Sequence, residues 1–360
     1  MKQGWEIKPF EEILEKVKYS KKIPKQQYKK RGTYPIVSQE QEIISGFWDE
    51  KNDLFRLNKP IVIFGDHTKV VKYIDFDFVI GADGVKILSP TEEILTKYLY
   101  YFVLSVNLRD LGYARHFRLL KEQKIPVPSL LEQGRIVGVL DAAFAKIDAL
   151  KENAQKNLEN AKALFQQVLK QELTPKPNWQ TKKLGEVCKY IKEQGSYSNL
   201  PYVGMEDIEP ETNKYLGKLI PKNVKSTTFK FHQGYVLFGR LRPYLRKVLT
   251  PKFEGHCSTE IFPIQPCQDI NCEFLRFWFL DNIDDINRTC TGARMPRANM
   301  NDVLNFVISY PQIDEQEEIV LKIENITQKS NKVIANAEKT IAECDALKQA
   351  VLRRAFNGEL

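Results

Sequence analysis

The 360-residue sequence predicts an α+β chain: two pseudo-two-fold-related globular domains, each a small mixed sheet with helices, separated by two long antiparallel coiled-coil helices. Three observations predict it. Trp5-Glu-Ile-Lys-Pro-Phe-Glu-Glu-Ile13 returns 174 residues later as Trp179-Gln-Thr-Lys-Lys-Leu-Gly-Glu-Val187. Pro128-Ser-Leu-Leu-Glu-Gln133 returns 183 residues later as Pro311-Gln-Ile-Asp-Glu-Gln316. Each copy of that second motif opens a stretch whose apolar residues recur every seven positions, the pattern of a helix seeking a partner helix.

The elements follow in order. In the first domain, 1–128, β-type runs at Pro60–Phe64, Phe78–Ile80 and Val85–Leu88 are separated by turn signals at Gly65-Asp66 and Ala82–Gly84, and a helical run covers Leu95–Leu104. The first long helix is expected over 129–173, with Ser129 and Glu132 forming a capping box. Its ladders run Val137, Phe144, Lys151, Leu158, Phe165 and Leu140, Ile147, Ala154, Ala161, Val168. The second domain, 174–311, repeats the order: Tyr235–Phe238 stopped by Gly239, then Glu260–Ile264, then the helical Phe274–Leu280.

The second long helix is expected over 312–360, with Asp314 and Glu317 repeating the capping pattern. Its ladders read Val320, Thr327, Ile334, Ile341, Lys348 and Ile323, Ser330, Ala337, Cys344, Val351. A helix of about 40 residues is roughly 60 Å long. Alone in water it would leave its stripe exposed, so the two are expected to pair. A domain lies between them in sequence, which makes antiparallel pairing the simple solution. The alternative is two separate homodimeric coiled coils.

The net charge is +8, and it is unevenly spread. Residues 1–130 and 174–310 each carry a net +5, residues 131–173 are neutral, and 311–360 carry −2. Phosphate attraction therefore belongs to the heads, and the helices serve as scaffold. Two heads at a fixed spacing suit a rod with two short sites, and double-stranded DNA is such a rod. The six cysteines form no Cys-x-x-Cys pair, which reads as reduced thiols in a cytoplasmic protein. Cys267, Cys272 and His256 are too irregularly spaced for a zinc site, so no metal is expected. No run of 18 apolar residues suggests a membrane span, and Met1-Lys-Gln-Gly-Trp-Glu6 lacks the apolar core of a signal peptide.

Taken together, these residues make the chain resemble the DNA-specificity subunit of a type I restriction-modification enzyme. The marks are the Trp5 and Trp179 segments, the Pro128 and Pro311 junctions, and the terminal Leu352-Arg-Arg-Ala-Phe-Asn-Gly-Glu-Leu360. Pro201–Ile208, Gly239–Leu245 and Cys257–Glu260 are also similar to segments of that family. The resemblance spans the chain end to end. It implies two target-recognition domains, each reading half of a bipartite target, with two helical spacers fixing the gap. It also implies two methyltransferase subunits docked on helices and heads, with a restriction motor-nuclease subunit as a further partner. S-adenosylmethionine, ATP and Mg²⁺ would then belong to the partners, and this chain would bind no cofactor. Apolar positions beside the main seam, such as Ala143, Leu150 and Leu164, are candidate docking surface, the alternative being that they widen the seam between the two helices.

The residues agree that catalysis lies elsewhere. There is no phosphate-binding Gly-x-x-x-x-Gly-Lys loop, no Asn-Pro-Pro-aromatic tetrad, no Gly-x-Ser-x-Gly elbow and no His-Glu-x-x-His pair. His67 beside Asp66 reads as a polar turn rather than an acid–base pair. The candidate DNA-contacting residues of the first head are Lys21, Lys22 and Lys25, in a basic run with Tyr19 and Tyr28, then Asp66, His67, Thr68 and Lys69, and Arg115, His116 and Arg118. In the second head they are Arg240, Arg242, Tyr244 and Arg246, Ser258, Thr259 and Glu260, and Arg294, Arg297 and Asn299. Two residues carry a second reading: Glu260 can orient Arg240 or Arg242 without touching DNA, and Asn299 can cap a turn. Rival classes are a DNA-bridging structural protein without a methyltransferase, and a nuclease with an unrecognised site.

Overall fold

The computed structural model describes every residue except Met1–Gln3, Asp83, Asp110, Leu111, Tyr113 and Ala293. The chain-start reading and one residue of the Ala82–Gly84 turn therefore lie outside the described residues. The chain divides into two compact units, Met1–Gln155 with Glu338–Leu360, and Lys156–Ala337. Each unit holds one globule and part of each long helix.

In unit one the strands are β1 (Glu6–Pro9), β2 (Tyr34–Val37), β3 (Gly46–Trp48), β4 (Leu54–Phe55), β5 (Ile61–Gly65), β6 (Val71–Ile74), β7 (Phe78–Ile80), β8 (Val85–Leu88) and β9 (Lys124–Val127). The helices are α1 (Thr96–Ser105), α2 (Phe117–Lys121) and the first long helix, α3 (Leu130–Glu172). The strands form an antiparallel β1-β9 ribbon, a mixed β3-β2-β7-β4 sheet and an antiparallel β6-β5-β8 sheet.

Unit two contains β10 (Gln180–Lys183), α4 (Leu184–Val187), β11 (Cys188–Tyr190), β12 (Gln194–Gly195), β13 (Tyr202–Val203), β14 (Thr228–Phe231), β15 (Val236–Gly239), β16 (Val248–Leu249), β17 (Gly255–Cys257), β18 (Ile261–Pro266), α5 (Cys272–Asp281), α6 (Ile283–Arg288), α7 (Met300–Leu304), β19 (Val307–Tyr310) and the second long helix, α8 (Ile313–Phe356). Here too a two-stranded ribbon, β10-β19, accompanies two sheets, β11-β18-β15-β16 and β12-β14-β17-β13.

The duplication extends to strand register. Gly65 lies opposite Val85, and Gly239 lies opposite Ile261, so each central strand meets its neighbour at the same step. The ribbons explain why the two repeated motifs travel together: the Trp5 segment pairs with the residues just before Pro128, and the Trp179 segment with those just before Pro311.

The glutamines ending the junction motifs have matching tasks. Gln133 is fully buried; its Oε1 accepts from Leu95 N (2.8 Å), and its Nε2 donates to Glu93 O (2.8 Å) and Pro128 O (3.0 Å). Gln316 is equally buried and bonds Asn271 N, Asp269 O and Pro311 O at 2.8–2.9 Å. Each glutamine thus satisfies the backbone at the start of α1 or α5 and ties it to the root of a long helix.

All twelve seam residues (Val137, Leu140, Phe144, Ile147, Leu158, Phe165, Val168, Val320, Ile323, Ile334, Ile341 and Val351) are buried or half-buried. Within unit one the helices run antiparallel, with ion pairs Asp148–Lys348 and Lys151–Asp345 (2.6 Å) fixing the register. In unit two Glu172 faces Lys322 at 3.8 Å. The helix ends also enter the globules. Leu352, Ala355 and Phe356 complete the core of unit one, where Phe356 packs on Tyr98 and Phe102. Leu169 and Leu173 do the same in unit two. Ser129 Oγ accepts from Glu132 N at 3.4 Å, one half of the expected capping box, while the Glu132 carboxylate accepts from Arg135 Nε and Nη2. At the second helix the sequence expectation needs correction: α8 begins at Ile313, so Asp314 lies inside the first turn, where its charge suits the helix N-terminus.

Candidate nucleic-acid interface

In both units the loop after the central strand and the segment before the last short helix are brought together by the backbone. In unit one Asp66 N donates to Gly84 O (2.7 Å), and His116 N donates to Asp66 O (2.8 Å). In unit two Arg240 N donates to Glu260 O, and Ala298 N donates to Arg240 O, both at 2.9 Å. The groups around 66, 84 and 116 in one head, and 240, 260 and 298 in the other, thus occupy equivalent frames.

The loops close alike. Gly65 N donates to Val70 O, and Gly239 N to Lys247 O, at 2.8 and 3.0 Å. Both glycines sit in tight places: an added Cβ would lie 2.2 Å from Thr68 Oγ1 at position 65, and 2.9 Å from Met205 Cε and 3.2 Å from Lys247 O at position 239, so a larger residue would make those neighbours shift.

The side chains on these frames differ. Asp66 and His116 are 2% and 0% exposed. Asp66 Oδ1 accepts from Phe117 N (2.8 Å) at the start of α2, and His116 Nδ1 lies 3.1 Å from Asp66 O. These two therefore shape the turn from inside, which corrects the expectation that they face DNA. Thr68 is exposed but donates to Gln39 O (2.6 Å), and His67 N donates to Gln39 Oε1 (3.2 Å). Gln39, which the sequence did not single out, braces the loop. Lys69 is half-buried with φ 59°.

Arg115 and Arg118 are exposed, and Arg115 makes no hydrogen bond or ion pair among the described residues. The basic run lies along the mixed sheet, anchored by fully buried Ile23, whose N donates to Ile80 O. Lys21, Lys22 and Lys25 are exposed. Lys21 lies 3.8 Å from Asp53, Lys25 pairs with Glu40, and Lys22 sits 5.2 Å from the centre of the Tyr19 ring. The Lys25 ammonium is held above its ordinary pKa by the Glu40 hydrogen bond. The two tyrosines are structural: Tyr19 Oη accepts from Ile87 N and Tyr28 Oη from Ala82 N, each at 3.0 Å. Behind them, buried Lys72 donates to Ser38 O and Glu42 O, and desolvation pulls its pKa down.

In unit two the loop is longer and arginine-rich. Arg242 and Arg246 adopt left-handed backbone, φ 51° and 53°, around a short turn at Pro243–Leu245. Left-handed backbone at a non-glycine residue costs about 1–3 kcal/mol, so the surroundings must enforce it. Arg242 N donates to Pro296 O (2.7 Å), which joins the loop to the 291–298 segment. Arg240 lies over the Phe262 ring at 5.0 Å. Tyr244, Thr259 and Arg294 are exposed, and Ser258 is half-buried with its Oγ accepting from Glu260 N (3.2 Å).

Glu260 does orient an arginine, but the expected partner needs correction: its carboxylate accepts from Arg297 Nε and Nη2 at 3.0–3.1 Å, not from Arg240 or Arg242. Asn299 likewise takes its capping role, accepting from Asn301 N at the start of α7. Arg246 points inward, as described below. Among the described residues no His, Cys, Asp or Glu cluster could hold a metal ion, and no helix is long and apolar enough to cross a membrane.

Residues 2–160 and 176–342 match the family described as "Type I restriction modification DNA specificity domain". The chain belongs to that family. It is 28% identical over 181 residues to the specificity subunit of the type I restriction enzyme EcoDI of Escherichia coli, covering 49% of this chain but 40% of that subunit. Against the EcoR124I/EcoR124II specificity subunit of the same organism, identity is 23% over 353 residues, covering 86% of this chain and 83% of the relative. The fold matches a chain solved in work on complex assembly and conformational transition of the type I R-M system, with TM-score 0.73, 17% identity, and coverage of 100% of this chain and 99% of that one. It also matches the HsdS subunit from Thermoanaerobacter tengcongensis, with TM-score 0.55, 18% identity, and coverage of 100% and 98%.

Proposed function

We propose that the chain is the non-catalytic DNA-recognition subunit of a type I restriction-modification complex in the cytoplasm. Unit one reads one half of a bipartite double-stranded target, unit two reads the other, and α3 with α8 sets the unread gap. The observation that carries this reading is the shared backbone frame holding two loops of different length and charge. A constant frame with variable loops is what recognition of two unlike half-sites needs. The readers are Lys21, Lys22, Lys25, Thr68, Lys69, Arg115 and Arg118 in one head, and Arg240, Arg242, Tyr244, Thr259 and Arg294 in the other. Arginine is suited to guanine edges, and lysine and tyrosine to phosphate.

Two methyltransferase subunits dock on the helices. Supporting this, exposed apolar residues recur at equivalent positions outside the seam. Leu150 of α3 and Leu347 of α8 are 50% and 48% exposed in unit one, and Leu164 and Val333 are 49% and 44% exposed in unit two. Each unit therefore offers one matched pair, which suits two copies of one partner. S-adenosylmethionine comes with those subunits, and ATP and Mg²⁺ with a restriction subunit where one joins.

The test is the genomic methylation map of the source strain with and without this gene. Loss of one two-part motif with a fixed gap is expected. An unchanged map, with the methyltransferase shown to be active, would favour a DNA-bridging protein instead.

A further inference from the structure

Arg246 lies in the arginine-rich loop, yet its side chain is only 17% exposed and is committed inside unit two. Its guanidinium pairs with Glu211 at 2.6 Å, and its Nη2 donates to Leu280 O in the last turn of α5 (2.7 Å) and to Gln166 Oε1 on α3 (3.0 Å). Its backbone O accepts from Glu211 N at 3.0 Å. Glu211 is itself left-handed, with φ 65°, and so is Asn213, with φ 57°. Asn213 is fixed by Thr250, whose N donates to Asn213 Oδ1 at 2.7 Å. Four of the five left-handed non-glycine residues among those described therefore sit in two apposed loops, 211–213 and 242–246, and Arg246 joins the loops to each other and to α3.

We infer that Arg246 is a positioning residue for the second half-site: with Glu211 and Gln166 it locks the strained loop so that Arg242 and Tyr244 face the DNA, and it does not touch DNA itself. This rests on the reading that unit two recognises a half-site. Strain is kept only where surroundings over-determine it, and a forked guanidinium with three partners is such a determinant. Both Nη2 protons are committed to Leu280 O and Gln166 Oε1, Nε lies against Glu211, and the side chain is only 17% exposed, so the guanidinium is turned away from a phosphate while those partners hold it. Lysine could keep the charge but not the fork.

The test uses the full chain assembled with its methyltransferase. The probes are duplexes carrying the mapped first half-site, the mapped gap and a randomised second half-site, with binding followed across a salt series. Arg246→Ala, Arg246→Lys and Gln166→Leu are each expected to flatten discrimination at the second half-site by about tenfold. First half-site preference and the salt slope should stay unchanged. Lys22→Ala in the first head, a phosphate contact on this reading, should by contrast lower the slope by about one. Three results would overturn the inference: a slope lowered by about one in Arg246→Ala, full rescue by Arg246→Lys, or unchanged discrimination in both Arg246→Ala and Gln166→Leu. The Gln166→Leu variant keeps the test decisive if Arg246→Ala does not fold. If the unaltered chain shows no second half-site preference, it is the half-site reading that fails.

Discussion

The two heads share a frame and differ in what stiffens it. In unit one a short loop, Asp66–Val70, is braced by interior side chains: Asp66 on the start of α2, His116 against Asp66, and Gln39 from the loop after β2. In unit two the position of Asp66 is taken by Arg240, and that of His116 by Ala298, so the interior brace is gone. Stiffness comes instead from ion pairs, Glu260–Arg297 beside the loop and the inward-pointing Arg246 with Glu211. Duplication thus preserved the backbone hydrogen bonds, which are expensive to lose, and released the side chains between them.

The largest perturbation of this comparison is in the cores. Leu352 closes unit one from α8 and is 1% exposed; Leu169, at the equivalent place on α3, closes unit two and is fully buried. Leu352→Ala and Leu169→Ala should each cost about 2–5 kcal/mol. Hydrogen exchange should show lost protection in unit one for the first and in unit two for the second. If Leu352→Ala loosened only unit two, the contribution of the chain's end to the first head would be wrong.

Next in size is the brace itself. Asp66→Ala should destabilise unit one by about 1–3 kcal/mol, because Phe117 N loses its acceptor. The structurally equivalent Arg240→Ala should leave melting nearly unchanged. It should instead weaken binding to targets with an intact second half-site by about 1–3 kcal/mol. Equal melting losses in both variants would remove the distinction between an interior brace and an outward reader.

Much of this frame was legible in the sequence. The repeated Pro-to-Gln junctions, the seven-residue ladders and the strand–glycine boundaries at 65 and 239 each record a local rule, and local rules show in one sequence. The opening segments and junctions were seen as repeats, but their pairing as β1-β9 and β10-β19 joins residues over a hundred positions apart, which no local pattern reveals. The site was legible as a set of loops, not residue by residue. Asp66 and His116 look like surface turn residues until the backbone of α2 is placed over them. Arg246 is indistinguishable in sequence from Arg242. Only the fold shows that one meets Glu211, Gln166 and a helix carbonyl while the other does not.

The smallest expected effect concerns acidity, and it should appear in unit two. His256 is 1% exposed, stacks near Tyr197 and Tyr202, and bonds Thr228 Oγ1 at 2.9 Å and Lys222 O at 3.1 Å. Desolvation is the main cause that lowers its pKa below 6.5, outweighing the backbone hydrogen bonds to Lys222 and Leu200 that raise it. Below pH 6.5 the unfolded chain therefore binds the proton before the folded chain does. Stability should be level above that pH and decline as pH falls through 6.5 towards the lowered folded value. Slow amides of β17, which carries His256, and of its neighbour β14 should lose protection between pH 7.5 and 6 once intrinsic exchange is corrected. Protection that held level or rose over that range would mean the imidazole is accommodated in its charged form, and that burial in this sheet does not hold it neutral.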